Sequence, residues 1–372
     1  MAKTLRRKFI SLILIFITIY GCYLYLSNSN SATERRNYVT KVVNTESLFS
    51  GERIGSSTIE IERYHSAPPC QSSPFILLAV NSHAKHKYRR QSIRKSWGST
   101  ISQNETDNLP AILWKTVFIV GIVKDNKIME QVYEEARLHK DIVLGIIDEN
   151  RRSLTEKTVL GMLWAQLYCQ PTFFYKGDDD VWVNQFRLYI YALQANRSFE
   201  APTNSFWRGF VAVDNRKPIR NKNSKYYLSM QDFSGDLFPP FCSGFAYILS
   251  NHVLQEMTRM IKEVEMIPLV DDVYVGLLAN KSGIRPSLEG RFHLRSHFKD
   301  LNQEILSALA KHRVLTAKDQ VLFKNISYRH YLTQFCNKTM KRQNIDYFDD
   351  FQYFYQFNFH KELNCSDINL VI

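Results

Sequence analysis

The sequence contains no G-x-x-x-x-G-K-[ST], no G-x-G-x-x-G and no G-x-S-x-G. Walker-type ATPases, Rossmann dehydrogenases and α/β-hydrolases therefore lose their best sequence support. It also lacks H-E-x-x-H and an EF-hand loop, and none of its 6 cysteines form a C-x-x-C pair. Zinc-site, calcium-loop and thioredoxin-like readings have little to stand on. There is no internal repeat and, outside residues 27–70, no low-complexity tract.

Lysine and arginine are absent between Lys8 and Arg35, and within that gap residues 9–26 are uncharged and strongly apolar. Such a run is near the short end of the roughly 17–25 residues that span a bilayer. Lys3, Arg6, Arg7 and Lys8 precede it, so the positive-inside rule puts residues 1–8 in the cytosol and the bulk of the chain outside it. A cleaved signal peptide is the rival reading, and both lead into the secretory pathway. Residues 27–70 are rich in Ser, Asn, Thr and charge and end in SAPPC, which reads as a stem before a catalytic domain over 71–372. Five cysteines lie beyond the apolar run, at 70, 169, 242, 336 and 365. In an oxidising lumen, two disulfides and one free thiol are expected, with the pairing open. The net charge of +12 suits an anionic membrane, a phosphate-bearing substrate or an acidic partner, or is simply a basic surface; in this setting nucleic acid is not implied.

From residue 75 the pattern changes. FILLAV, TVFIVGIV, DIVLGIID and TFFYKGDDD are apolar runs of strand length, separated by helix-like segments. That alternation predicts an α/β domain with a mostly parallel central sheet, in which ligands sit at the carboxyl ends of the strands. Asp178, Asp179 and Asp180 fall at such an end, between a buried strand and the apolar Val181–Trp182–Val183. An exposed acidic turn is the plain alternative. Carboxylates in that position otherwise call for a hard divalent cation shared with substrate phosphates. A second pair, Asp271 and Asp272, opens another apolar helical stretch, where helix-terminal residues and a catalytic base are both readable.

RRQSIRKSWG (89–98), KGDDDVWVN (176–184), FPPFCSGFAYILS (238–250) and VDDVYVG (270–276) together resemble the β-1,3-glycosyltransferase family often called the galactosyltransferase family. The resemblance covers roughly residues 74–320. It implies a GT-A-like fold, a single-pass type II Golgi membrane enzyme with a luminal catalytic domain, a UDP-sugar donor, a glycan acceptor on glycoprotein or glycolipid, and Mn²⁺. Carried over residue by residue, Asp180 would contact the metal directly. Asp178 would lie nearer the nucleotide or a metal-bound water, with Asp179 between them. Arg90 and Arg94 would face the nucleotide or support its pocket. Ser243 and Gly244 would form a turn admitting backbone close to the sugar, and Asp272 would be the base. His312 resembles a late histidine that completes the metal site, with a surface histidine as the alternative. Phe245 stands where the family commonly has a second glycine, and would narrow the acceptor or donor pocket. Gly177 stands where many members have Thr. Two other classes are open: a glycoside hydrolase, which also needs two carboxylates but no metal, and a catalytically silent sugar-binding protein or chaperone on the same fold.

Overall fold

A computed structural model describes residues 53–54, 57–62, 64–102, 112–197, 205–212, 216–295 and 299–340, with 53, 54, 57, 58, 102 and 331–340 described as backbone only. The expected span over 9–26 lies outside the described residues, among which no helix is long and apolar enough to cross a membrane. A compact unit begins at Arg53. Its first elements are a short ladder of β1 (Arg53–Ile54) and β2 (Ser57–Thr58). Residues 59–62 and 64–67, assigned from sequence to the stem, lie along a sheet strand: Glu62 N–H donates to Leu144 C=O and Ala67 N–H to Ile142 C=O.

The central elements are β3 (Ile76–Asn81), α1 (Lys87–Lys95), β4 (Ile101–Ser102), β5 (Ile112–Ile122), α2 (Asn126–His139), β6 (Ile142–Asp148), α3 (Leu154–Tyr168) and β7 (Phe173–Asp178). They are followed by β8 (Trp182–Val183), α4 (Gln185–Arg197), β9 (Trp207–Ala212), β10 (Phe241–Ser250), α5 (Asn251–Arg259) and α6 (Asp271–Lys281). The chain continues through β11 (Ser287–Leu288), β12 (Phe292–His293), α7 (Leu301–Ser307), β13 (Ala310–Lys311) and α8 (Ala317–Met340).

The eight-stranded sheet runs β11–β9–β10–β7–β3–β5–β4, with β6 also on β5. Strands β6, β5, β3 and β7 are parallel. β10 is antiparallel to both β7 and β9, and β4 to β5. β11 is parallel to β9. The sheet is therefore mixed: its centre is parallel as expected, and β10 and β4 run antiparallel to their neighbours. A fully buried strand carries the same apolar run whichever way it points. All six residues of β3 are buried, and α3 packs across β3, β5 and β6. α3 is buried on nearly every side from Thr155 to Ala165, so it is a core helix rather than an amphipathic cover.

Sheet order decides where the site forms. The aspartate triplet follows β7. β10, beside it, is irregular against β9 between Cys242 and Tyr247. This brings Ser243 and Gly244 out of that ladder next to the triplet, as a bulge does. A small separate sheet of β12, β13 and β8 closes the other side of the triplet.

Cys70 and Cys169 form a disulfide across a sequence separation of 99, and Cys242 is free and buried. Cys365 and the side chain of Cys336 lie outside the described residues, so the two-disulfide expectation is met by one described bridge. Cys70→Ala is expected to lower unfolding free energy by about 2–4 kcal/mol, the usual range for a native bridge, in urea titrations against wild type. Unchanged stability would contradict a bridge in the folded protein.

Candidate active site

The site is organised around a lysine. Lys176 sits on β7 with its side chain 2% exposed, and its Nζ lies 3.0 Å from Asp178 Oδ1 and 2.9 Å from Asp271 Oδ2. The same ammonium donates to the Gly244 carbonyl. Burial opposes the charged lysine, but Asp178 and Asp271 outweigh it and raise its pKa. Asp271 Oδ2 also accepts from Thr158 Oγ1 at 2.7 Å, and that oxygen accepts from Asn81 Nδ2 at 2.8 Å. The ends of β3, β7, β10, α3 and α6 are thus tied by polar contacts to one buried cation.

Gly244 is tightly approached: a Cβ there would lie 3.1 Å from Asp271 Oδ1 and 3.3 Å from Asp272 Cβ, so the carboxylates would have to shift to admit one. Its N–H donates to Asp272 Oδ2 at 3.1 Å, while Asp272 Oδ1 accepts from Val273 N–H at 2.9 Å. The close approach expected at Gly244 is therefore to the carboxylate pair. Neither aspartate caps α6: Val270 holds the cap position and both carboxylates stand in the first turn.

The three neighbouring aspartates divide. Asp178 keeps 34% of its side chain exposed, yet it sits in a recess where burial raises its pKa to about 7, against the lowering effect of Lys176 and with further raising by Asp271. Asp272 is raised to about 6 by burial and by Asp271 beside it. Asp179 turns inward, accepting from Ser82 Oγ at 2.8 Å, His86 Nδ1 at 2.7 Å and Arg89 Nη1 at 2.8 Å. Burial pushes its pKa up, but the bonds from His86, Arg89 and Ser82 outweigh that and hold it below the ordinary value. Asp179 therefore anchors the α1 end of the cleft, not a cofactor directly.

The two arginines expected at the nucleotide are committed inside the protein. Arg90 is 0% exposed. It binds both carboxylate oxygens of Glu135, at 2.9 and 2.7 Å, and also Ser82 Oγ and the carbonyls of His83 and Ala84. Arg94 forks onto Asp141 at 2.7 and 2.8 Å and reaches Glu135 at 2.7 Å. This corrects a nucleotide-facing placement; what the geometry gives them is support, through Ser82, of the Asp179 network. The residue that faces the aspartates is their neighbour Arg89, with His86. No motif marked His86, Arg89 or Lys176 individually, although H-x-x-R and the lysine of YKGDDD were in plain view, and Asp271 was singled out only together with Asp272.

Asp180 points elsewhere. Its Oδ1 is buried without a hydrogen-bond partner, and His312 Nε2 stands 3.7 Å away. Burial lowers the His312 pKa, partly countered by Asp180, which favours the neutral imidazole that a metal needs. An unsatisfied buried carboxylate oxygen is costly, and a cation between it and His312 would relieve that. Among the described residues no three His, Cys, Asp or Glu side chains stand in one cation-holding group. The protein would thus supply few ligands and leave the rest to diphosphate oxygens and water, which suits a hard divalent ion. The residues present fit that group.

A galactosyltransferase family model matches residues 88–288, more than half of the 372 residues. The chain belongs to the galactosyltransferase family. Among its relatives, beta-1,3-galactosyltransferase 5 of Gorilla gorilla gorilla is 33% identical over 58% of this chain and 68% of its own. Beta-1,3-galactosyltransferase 1 of Mus musculus is 30% identical over 59% of this chain and 64% of its own. A solved galactosyltransferase, in complex with donor and acceptor sugar analogs, aligns over 67% of this chain and 95% of that one at 10% identity with a TM-score of 0.33, a likeness too low to argue from. The protein is a glycosyltransferase; of the four segments that carried the resemblance, those around residues 176–184, 238–250 and 270–276 meet at Lys176, and residues 89–98 reach the site through Arg89 and Asp179.

Replacing this lysine tests the assembly. Lys176→Met leaves Asp178 and Asp271 facing each other without their shared cation. A loss of about 3–5 kcal/mol is expected, as for other broken buried pairs, read by urea unfolding. Wild-type stability would show that the lysine is not the keystone.

Proposed function

We propose that this galactosyltransferase-family chain is an inverting, metal-dependent hexosyltransferase on a GT-A-like fold. It moves galactose or an N-acetylhexosamine from a UDP-sugar to a hydroxyl of a glycan acceptor on glycoprotein or glycolipid, and forms a β-1,3 linkage. It works in the Golgi lumen, held to the membrane through residues 9–26. Galactose is the first donor to try, given the names of its relatives. The observation that carries the reading is a pair of unlike carboxylates: Asp180, whose buried Oδ1 has no hydrogen-bond partner and lies beside His312, and Asp272, whose pKa is raised to about 6.

The chemistry follows from where charge develops. Asp180 and His312 would hold Mn²⁺, with Asp178 on its nucleotide side. When bound, that ion neutralises the diphosphate leaving group. His86 and Arg89, fixed by Asp179, present donors at the same end of the cleft. Asp272 is ionised at neutral pH and basic enough to take a proton. Each of its oxygens is oriented by a backbone N–H. It removes the acceptor hydroxyl proton as that oxygen bonds to the anomeric carbon and the bond to UDP breaks. A single displacement on an α-linked donor gives a β-linked product. Holding both sugars in line supplies much of the remaining acceleration.

The test uses the full-length chain, UDP-galactose, UDP-N-acetylglucosamine and UDP-N-acetylgalactosamine in turn, a mixed glycan acceptor panel, and Mn²⁺ or EDTA. Mn²⁺-dependent UDP release with one donor is expected. Folded protein that binds sugar but releases no UDP with any donor would overturn the transferase reading in favour of a silent binding protein. EDTA-insensitive cleavage of glycosides would point to a hydrolase instead. Asp272→Asn and Asp180→Asn are each expected to cut transfer by at least about 10²-fold, the low end for losing a positioned base. Retained activity in either removes that residue's role. With acceptor below saturation, kcat/KM is expected to rise with pH up to about 6, as Asp272 loses its proton, and then to level. A flat profile from pH 5 to 8 would contradict Asp272 as base.

A further inference from the structure

Phe245 does not line an open pocket as its place in the sequence suggested. Its side chain is 4% exposed and belongs to the main core cluster. Its ring packs on the imidazole of His312, with centroids 5.3 Å apart and planes inclined by 37°. The two residues come from unconnected parts of the chain, and both backbones are pinned. Phe245 follows Gly244, whose carbonyl is held by Lys176. The His312 N–H donates to His293 C=O at 3.0 Å. Arg313 turns the chain through a left-handed φ of 62°, and Val314 N–H then donates to Asp180 C=O at 2.8 Å.

These bonds fix the His312 backbone, and the imidazole itself is hydrogen-bonded to the Leu294 backbone. Against the imidazole stand Asp180 Oδ1, at 3.7 Å from Nε2, and the Phe245 ring. We infer that Phe245 is a positioning residue: its ring is the wall that, with the Leu294 bond, holds the His312 imidazole toward Asp180 and so prepares the cation site. Without that wall the imidazole has only its Leu294 bond to hold it, and gives up more side-chain freedom when a cation binds. The inference rests on the metal-dependent reading above.

The experiment measures Mn²⁺ binding rather than turnover. Mn²⁺ is titrated calorimetrically into full-length chain saturated with UDP, for wild type, H312A, F245A, F245L and the F245A/H312A double variant, with melting curves for each. H312A and F245A are each expected to weaken Mn²⁺ binding about tenfold, in the range seen when a partner that orients a metal ligand is lost. The double variant is expected to be no weaker than H312A alone, because both changes act through one imidazole. UDP affinity in EDTA is expected to be unchanged. F245L keeps the apolar bulk without the flat face, so it covers the case in which F245A does not fold. It is expected to melt near wild type and still to bind Mn²⁺ several-fold more weakly. A folded F245L or F245A that binds Mn²⁺ like wild type, while H312A is weakened, overturns the inference and leaves the metal reading intact. So does full additivity in the double variant. Wild-type protein that binds no Mn²⁺ with UDP present overturns the metal reading itself.

Discussion

Lys176 carries its ammonium into a buried space between Asp178 and Asp271, beneath the Gly244 carbonyl. Removing that charge from water costs several kcal/mol, and only good geometry with further hydrogen bonds offsets it. The required partners come from four elements: β7 itself, β10, the first turn of α6 and, through Thr158, helix α3. Each therefore has to end at a defined place. β10 must be antiparallel to β7 and irregular against β9, so that Gly244 arrives with its carbonyl on the lysine and its N–H on Asp272. A side chain at 244 would press on both aspartates. The glycine, the bulge and the carboxylate pair are consequences of one constraint.

One ammonium does not balance the carboxylates of Asp178, Asp180, Asp271 and Asp272, and the imbalance gives the site its chemical character. Burial first, and then the neighbouring Asp271, make Asp178 and Asp272 hold protons more tightly, at about 7 and about 6. Asp180 is left with a bare oxygen. Asp179 escapes because it faces the other way, onto Ser82, His86 and Arg89. Asp178 is the last residue of β7, and Asp179 and Asp180 lie in the turn after it, so the three side chains need not share a direction. The triplet can therefore anchor one wall of the cleft with its middle member and offer the outer two to a cation. The same imbalance, met by a divalent ion, is the driving force the proposed function uses.

Much of this was legible in the residues. Long apolar runs alternating with helical stretches marked the α/β core, and the aspartates stood out because charge at the end of a buried strand needs a reason. The rest depended on contacts far apart in sequence. Arg89 and Arg90 are neighbours on α1, so only one can face the cleft. Glu135 on α2, which claims Arg90, decides which. Lys176 looks like any lysine on a strand until Asp271 is brought beside it. The direction of β10 leaves no trace in a run buried on both faces. Residues 59–62 and 64–67 read as stem because two nearby prolines and scattered charge hide the backbone bonds they make to the β6 edge. Phe245 looked like an obstruction in a pocket, and only the position of His312 gave it a wall to form.

In the proposed function the frame around Lys176 separates metal-side binding from proton removal. The most direct measurement is UDP affinity with and without Mn²⁺ in full-length Asp272→Asn. The account predicts that Mn²⁺ tightens UDP binding in this variant as much as in wild type, while sugar transfer is lost. A variant in which the Mn²⁺ effect on UDP disappears together with transfer would contradict that separation and make Asp272 part of the metal site.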